Sequence, residues 1–442
     1  MGVTTTPSTQ PQRSAAAAPP PAPRFHYAWI IAAVSLLTLV GAAGFRSTPG
    51  LLMDPLHMEF GWSHGTISSA ASVNLALYGL TSPFAAALME RFGIRPVLAG
   101  ALTLIAVGSG LTVFMTASWQ LILCWGVLVG LGTGSMAMAF VATVTDRWFA
   151  ARRGVVTGVL TAAGSAGNLV FLPVLSWLIT TYGWRAASLT VGACSLAVVP
   201  LVLLLLREHP ADLGLAPYGA TVPVPRPERT TGAGLRALRV LASAARTRPF
   251  WLLAGTFAIC GATTNGLVGT HFVPAAGDHG MAETTASGLL ALSGLFDVVG
   301  TIASGWLTDR FNPRRLLGTY YFLRGCSLAV LPLLFARTVH PSMLVFVIFY
   351  GLDWVATVPP TIAIARREYG ADAPIVFGWV AAAHQVGAAV VAVAAGFLRD
   401  ALGDYDPVWY AAGALCVAAA AGALALRERG PATPRTLRRR RA

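Results

Sequence analysis

AALMERFGIRP (residues 86–96) and GWLTDRFNPRR (residues 305–315) each place an acid, an arginine and a phenylalanine directly after a long apolar run. Their acids, Glu90 and Asp309, are 219 residues apart. Glycines repeat at an offset of 220, in the pairs Gly158 and Gly378, Gly167 and Gly387, and Gly183 and Gly403. A loop motif and three glycines at almost one offset predict an internal duplication.

The regions around these loops have the composition of a membrane protein. Of the 442 residues, 55% are hydrophobic and 11% charged, and the mean hydropathy is +0.65. Soluble domains carry about 25% charged residues. Apolar runs of about 20 residues, each long enough to cross a bilayer as a helix, are expected at about 28–48, 66–88, 96–115, 120–144, 154–180, 186–206, 250–272, 285–308, 316–336, 343–364, 375–398 and 408–426. The chain is therefore predicted to be an all-α membrane protein with twelve transmembrane helices.

Basic residues lie between the apolar runs and at the end of the chain. The net charge is +13, and all 31 basic residues are arginines. With the N-terminus inside, the inner segments hold 26 arginines and the outer ones four, which predicts that both termini are cytoplasmic. The basic residues thus indicate membrane topology rather than a nucleic-acid partner, and we expect the protein in the plasma membrane. Without lysine, a Walker phosphate loop and Schiff-base chemistry are excluded. We expect no enzyme activity, cofactor or metal, and we expect the five cysteines to be buried small hydrophobes.

The chain divides into two predicted halves and three flanking or linking segments. We expect a disordered tail at 1–26, six-helix bundles at 27–206 and 249–427, a cytoplasmic linker at 207–248 and a basic tail at 428–442. Within the linker, GLRALRVLASAAR (234–246) is a basic amphipathic stretch. It either lies on the anionic inner leaflet or forms a plain surface helix.

The two loops carry a resemblance to a known family. Their acid-Arg-x-Gly-x-Arg pattern resembles the signature loop of the major facilitator superfamily, over about residues 25–428. DRWFAARRGVVTGVLTAAGSAG (146–167) is similar to the entry to span five of monocarboxylate transporters and oxalate/formate antiporters. The resemblance implies two pseudo-repeated six-helix bundles with a substrate site at their interface. Ala86 and Asn312 replace glycines of the family pattern.

The resemblance also assigns a role to the charges of these loops. It implies that they bridge neighbouring helices in one conformational state and so bias the equilibrium between states. The alternative is that they only anchor the chain at the inner surface. The residues concerned are Glu90, Arg91, Arg95, Asp309, Arg310, Arg314 and Arg315.

Four ionisable residues lie deep in predicted spans. At 1.5 Å per residue, Asp297 is about 18 Å into span eight, Arg324 about 12 Å into span nine, Asp353 about 15 Å into span ten and His384 about 14 Å into span eleven. A charge at this depth faces a cavity or a partner. Titratable groups near the midplane are consistent with proton coupling. Arg324 could bind the substrate anion, and an ion pair of Arg324 with either acid is the structural alternative.

Asp297 has a counterpart in the resemblance. Monocarboxylate transporters place an Asp in span eight, followed one helical turn later by an Arg that binds the substrate carboxylate. The chain reads DVVGT here, so Thr301 stands at the position of that Arg. Proton binding at Asp297 is expected from the resemblance, whereas the cation for the anion must lie elsewhere or be absent.

Arg46 and Ser47, in GFRSTPG, are candidates for that cation site. They resemble a Lys-Ser pair in span one of monocarboxylate transporters, and a guanidinium holds a carboxylate in a bidentate manner. Alternatively Arg46 only extends to the outer surface. Further polar candidates for the cavity are Asn74, Tyr78, His384 and Gln385, with His384 also open to a purely structural hydrogen bond. Pro359 and Pro360 predict a kink or break of span ten.

The expected function is transport of a small organic anion, a carboxylate in particular, by alternating access. Coupling is either to protons or to exchange with a counter-substrate. We expect a monomer whose partners are the small-molecule substrate and membrane lipids. Two alternatives are an exporter of a hydrophobic or cationic compound and a membrane sensor that does not transport.

Overall fold

The structure is a computed structural model that describes residue 2 and residues 26–136, 138–222 and 232–426. The described residues are helical, with one isolated β-bridge between Phe149 and Tyr218. The tails therefore lie almost wholly outside the described residues. The α-helices are α1 Ala28–Phe60, α2 His64–Phe92, α3 Ile94–Thr112, α4 Ser118–Leu121, α5 Gly130–Gly134, α6 Met138–Trp148, α7 Arg153–Tyr182, α8 Trp184–Leu205, α9 Ala233–Ala244, α10 Arg248–Gly261, α11 Gly269–Asp278, α12 Glu283–Thr308, α13 Pro313–Val330, α14 Pro341–Asp353, α15 Val358–Tyr369, α16 Ala373–Leu402 and α17 Asp406–Leu424.

Two π-helical segments, Ile122–Val129 and Ala262–Val268, link α4 to α5 and α10 to α11. Every predicted span overlaps a helix. Helices long and apolar enough to cross a membrane number eight among the described residues, at Ile94–Thr112, Trp184–Leu205, Arg248–Asp278, Glu283–Thr308, Pro313–Leu334, Pro341–Tyr369, Ala373–Leu402 and Asp406–Leu424. The all-α membrane fold is confirmed, and the number of twelve spans stays a prediction.

Matching glycines of the two repeats occupy matching places. Gly183 follows α7 with φ +83° and Gly403 follows α16 with φ +90°, a backbone conformation that suits glycine. A Cβ at Gly167 of α7 would collide with the Cβ of Ala43 in α1, and one at Gly387 of α16 would collide with the carbonyl oxygen of Ala258 in α10. Thus α7 packs on α1 as α16 packs on α10.

The predicted halves meet along α2 and α16. Near one end, a Cβ at Gly65 would collide with the ring of Phe397. Near the other, the rings of Phe84 and Trp379 lie 5.8 Å apart. Helix α7 also packs on α12, and α1 on α11. The interface between the halves therefore runs along most of α2.

Helix α9 of the linker docks against α16. The indole N–H of Trp379 donates to the carbonyl of Ala237 at 3.0 Å, and Arg236 lies 3.3 Å from Asp372. Leu235 and Leu238 of the same helix are exposed. One face of α9 is packed on the protein, and its role at the lipid surface stays a prediction.

The cysteines require a correction. Cys124, Cys260 and Cys416 are buried as expected, but Cys194 is half-buried and Cys326 is exposed. Cys326 lies on the side of α13 that faces away from the bundle, because α13 buries its opposite side against α17.

Candidate functional site

The deep polar residues meet at a break in span ten. Helix α14 ends at Asp353 and α15 begins at Val358, and the residues between them form turns. Pro359 and Pro360 stand in the first turn of α15, where a missing N–H is tolerated. The predicted break is confirmed. The N–H groups of Trp354, Ala356 and Val358 bond to carbonyls three residues earlier. The remaining backbone groups of the break need other partners, because there is no water in the hydrocarbon region.

Span eight supplies two of these partners from α12. The Ser304 hydroxyl donates to the carbonyl of Ala356 at 2.5 Å. The backbone N–H of Val355 donates to Oδ1 of Asp297 at 3.0 Å. Both side chains are buried, with 1% of Ser304 and 6% of Asp297 exposed. Asp297 therefore contacts the broken part of span ten directly.

Span nine supplies the third partner, Arg324, which is fully buried. Its Nε donates to Oδ2 of Asp353 at 2.5 Å, and its Nη2 donates to the carbonyls of Asp353 at 2.5 Å and Trp354 at 3.2 Å. Its Nη1 lies 2.9 Å from Sγ of Cys260. Of the two acids considered from the sequence, Asp353 is the ion-pair partner. The pair and its additional hydrogen bonds offset part of the cost of burying both charges, while Oδ1 of Asp353 is buried without a hydrogen-bond partner among the described residues.

Asp297 has different surroundings. The Thr301 hydroxyl donates a hydrogen bond to Oδ1 of Asp297, with 3.2 Å between the two oxygens. Thr301 thus binds the acid from the position at which the family pattern would place an arginine. Asp353 is joined to a guanidinium, whereas Asp297 accepts hydrogen bonds from a hydroxyl and a backbone N–H.

His384 and Gln385 lie on α16 at its contacts with α10 and α2. The His384 ring is 4.8 Å from the ring of Phe257. A Cβ at Gly79 of α2 would lie 2.5 Å from the Cβ of Gln385. The Gln385 Oε1 is buried and has no hydrogen-bond partner among the described residues. Gln385 is therefore at the interface between the halves, which is where a cavity is predicted, whereas the ring of His384 packs on α10 within the second half.

Asn74 and Tyr78 lie on the face of α2 that packs on span four. The Asn74 amide donates to the carbonyl of Trp125 at 2.9 Å, within a π-helical segment. Gly130 and Gly134 approach the backbone of Asn74 and Tyr78. Asn74 therefore satisfies a carbonyl of a neighbouring helix, and its role toward a substrate stays a prediction.

Arg46 and Ser47 lie within α1, which continues to Phe60. Span one is thus helical well beyond the point at which the apolar run was predicted to end. The side chains of Arg46 and Ser47 lie outside the described part of the structure. Their role in anion binding stays a prediction.

The first signature loop connects α2 to α3. The Glu90 side chain lies outside the described part. The guanidinium carbon of Arg91 is 5.1 Å from the centre of the Phe92 ring, and Arg95 donates to the carbonyl of Leu203. Arg95 thus joins α3 to the end of α8.

The second signature loop connects α12 to α13. Asp309 is exposed at the end of α12. Arg310 lies over the Trp306 ring at 3.9 Å, and Arg314 donates to the carbonyl of Leu426. Arg314 therefore ties α13 to the segment after α17, as Arg95 ties the matching helix in the first half.

Glu208, at the end of the bundle predicted to face inside, is a residue whose contacts the sequence pattern does not reveal. Its carboxylate accepts hydrogen bonds from the backbone N–H groups of Ile94 at 2.7 Å and Arg95 at 2.9 Å, and so caps α3. It also lies 3.7 Å from Arg147 of α6. The position of Glu208 just after span six was the available signal, but an acid in a linker is equally typical of a solvated loop.

A second set of charges, here called the outer cluster, consists of Asp54, His64, Asp278, Arg399 and Asp400. It lies at the end of the bundle predicted to face outside. His64 Nδ1 is 3.1 Å from Asp400 Oδ1, and His64 Nε2 is 3.5 Å from Asp54 Oδ1. Arg399 Nη2 is 2.8 Å from Asp278 Oδ1. Asp54 and His64 belong to the first predicted half and the others to the second, and no local pattern links residues this far apart in the chain.

Comparisons with known proteins agree on one family. The model of the Major Facilitator Superfamily matches residues 34–365 and 259–442. Monocarboxylate transporter 13 of Rattus norvegicus is 31% identical over 358 residues, which cover 80% of this chain and 78% of that protein. Monocarboxylate transporter 11 of Mus musculus is 29% identical over 399 residues, which cover 86% and 83%.

The fold has a counterpart among solved structures. A bacterial homologue of the human lysosomal transporter Spinster, in an inward-facing and occupied conformation, superposes with a TM-score of 0.65. It covers 90% of this chain and 92% of its own, at 16% identity. Because the matching family consists of transporters, the prediction that the protein is not an enzyme is confirmed. The chain belongs to the Major Facilitator Superfamily, as a transporter of its monocarboxylate transporter branch.

Proposed function

We propose that the protein moves a small organic anion, a carboxylate, across the plasma membrane by alternating access, coupled to protons or to exchange, with both termini in the cytoplasm. The observation that carries this proposal is the buried carboxylate of Asp297, bonded to the broken part of span ten. The names of the two relatives support the carboxylate class. An acid bonded to an interrupted helix is placed to link its own protonation to a change in that helix.

Asp297 is the proposed proton-coupling group. As a carboxylate it accepts the hydrogen bond of the Val355 N–H at 3.0 Å. Protonation places a hydrogen on one oxygen and removes the charge, and so weakens this acceptor. The backbone turn of span ten then loses part of its support, and the cost of moving the acid through an apolar environment falls.

Arg46 and Ser47 are the proposed anion-binding group in α1. Arg46 stands within a helix rather than at its end, since α1 continues to Phe60. Asp353 already neutralises Arg324 at 2.5 Å, so Arg324 is a structural cation in this proposal. His384 remains a second titratable candidate on α16.

Arg46→Ala in proteoliposomes tests the anion role. We expect it to abolish uptake of radiolabelled short-chain monocarboxylates, because no other guanidinium is assigned to the anion. The matched control is Arg185→Ala, which removes an exposed arginine held by Glu59 at 2.6 Å and is expected to leave uptake near the wild-type rate.

Unchanged uptake in Arg46→Ala, with the variant folded and reconstituted at equal density, would remove Arg46 from the site. Competition separates the substrate classes in the same assay. Unlabelled monocarboxylates are expected to slow uptake and amphipathic cations to leave it unchanged; the reverse pattern would favour an exporter of cationic compounds.

A further inference from the structure

Asp400, at the end of α16, caps the start of α2. The backbone N–H of His64 donates to Asp400 Oδ1 at 3.1 Å, and the N–H of Gly65 donates to Oδ2 at 2.8 Å. These N–H groups lack partners within their own helix and interact favourably with an anion. Because α2 and α16 belong to different predicted halves, the bonds exist only while the two helix ends are in contact.

The contact between these helix ends is tight. A Cβ at Gly396 would lie 2.8 Å from the carbonyl oxygen of His64, and one at Gly65 would collide with the Phe397 ring. The small glycines let the backbones approach closely enough for Asp400 to reach α2. Closure of this end is therefore a defined, packed state.

The imidazole of His64 lies between two carboxylates in this closed state. Its Nδ1 is 3.1 Å from Asp400 and its Nε2 is 3.5 Å from Asp54, and only 7% of the side chain is exposed. A neutral imidazole has one N–H and one lone pair, so it would turn the lone pair toward one of the two carboxylates. An imidazolium donates on both sides. The closed arrangement is therefore complementary to a protonated His64.

The charges around His64 also bear on its protonation. The ring packs beside His57 on α1 and interacts at longer range with His271 on α11 and Arg399 on α16. Further out in the same region, Glu283 on α12 interacts with Asp54, and the Tyr405 hydroxyl is 3.1 Å from Nδ1 of His271. Arg399 is engaged by Asp278 at 2.8 Å. Burial of the ring and the charge of Arg399 oppose a proton on His64, whereas the hydrogen bond to Asp54 and the charges of Asp54 and Asp400 favour it, and the two carboxylates prevail.

We propose that Asp54, His64 and Asp400 form a proton-binding site that is assembled when the outer ends of the two halves close. Asp54 and His64 come from one half, and Asp400 completes the site from the other. Opening removes Asp400 and leaves His64 with one carboxylate. Proton uptake from the outside then stabilises the outward-closed state. This rests on the proposed alternation between two states but not on the anion carried.

The sign of the linkage follows. The closed form binds the proton more tightly than the open form, so a fall in pH favours closure and a rise in pH favours opening. For one proton, the ratio of closed to open molecules changes by at most about tenfold per pH unit.

Distance measurements between spin labels at Met58→Cys and Asp404→Cys test this site. Met58 is at the end of α1, and Asp404 follows α16, so the pair reports on the outer ends of the two halves. A Cys194→Ser, Cys326→Ser background removes the two cysteines that are not buried. We expect the short-distance population to grow as the pH falls from about 8 to 5.

His64→Gln is expected to abolish this pH dependence, and Asp400→Asn to shift the population toward long distances at every pH. His57→Gln is the matched control: its ring lies 4.7 Å from His64, but its Nδ1 bonds to the carbonyl of Trp62. His57→Gln is expected to keep the wild-type pH response.

A wild-type population that does not change with pH, or a His64→Gln variant that keeps the wild-type response, would overturn the site. Failure of the proposed function has a different signature. If no carboxylate is carried but the outer ends still close as the pH falls, the proton site stands without the anion assignment.

Discussion

Two charged clusters of this transporter differ in whether their residues belong to one predicted half or to both. Arg324 and Asp353 form a fully buried pair within the second predicted half, whereas His64 and Asp400 join the two halves. A pair inside one half keeps its partners when the halves move against each other. A pair between halves is made and broken. The first is therefore expected to control stability, and the second to control the equilibrium between states.

The largest expected effect is that of Arg324→Met. It leaves the Asp353 carboxylate buried without its cation and removes the donor for two carbonyls at the break of span ten. Breaking a buried pair costs about 3–5 kcal/mol. We expect a large loss of thermal stability in detergent, measured by the unfolding midpoint of the purified protein.

The double variant Arg324→Met, Asp353→Leu is the control for this effect. Replacing both charges removes the unpaired carboxylate, so much of the stability is expected to return. If Arg324→Met alone is as stable as the wild type, the pair does not have the structural role that separates it from the outer cluster.

Ser304→Ala is expected to have a smaller effect of the same kind. It leaves the carbonyl of Ala356 without its donor in a buried place, at a cost of about 1–3 kcal/mol. Ser287→Ala is the matched control on the same helix, because the Ser287 hydroxyl bonds a carbonyl of its own helix, that of Thr284. Equal unfolding midpoints for the two variants would contradict a special role of Ser304 at the break.

Several of these features were predictable from the sequence. The apolar runs predict the helices, the glycine offset of 220 predicts the repeat, and Pro359 and Pro360 predict the break of span ten. Each rests on a local pattern or on a simple spacing. Depth along a helix was also predictable, because it depends only on the rise per residue.

The choice of partners was not predictable. Depth does not give the rotation of a helix about its axis, so Arg324 was open to either acid until the structure showed Asp353. The contact of His64 with Asp400 joins residues that are 336 positions apart in the chain, and acids at helix ends are typical of surface anchors. Thr301 marked the departure from the family pattern, but only the structure shows its hydrogen bond to Asp297.

The two buried acids of the site also differ in their bonding partners. Asp353 is ion-paired, while Asp297 bonds to the backbone N–H of Val355 and to Thr301. Substitution of Asp353 is therefore expected to affect folding, and substitution of Asp297 to affect coupling. Asn at position 297 keeps the size of the side chain and an acceptor oxygen but cannot titrate.

The most direct test of proton-coupled carboxylate transport is uptake of a radiolabelled monocarboxylate into proteoliposomes under an imposed proton gradient, in the wild type and in Asp297→Asn. The account predicts that an acidic outside accelerates wild-type uptake and that Asp297→Asn loses this acceleration while remaining folded. Acceleration of equal size in both proteins would contradict the assignment of Asp297 as the coupling group.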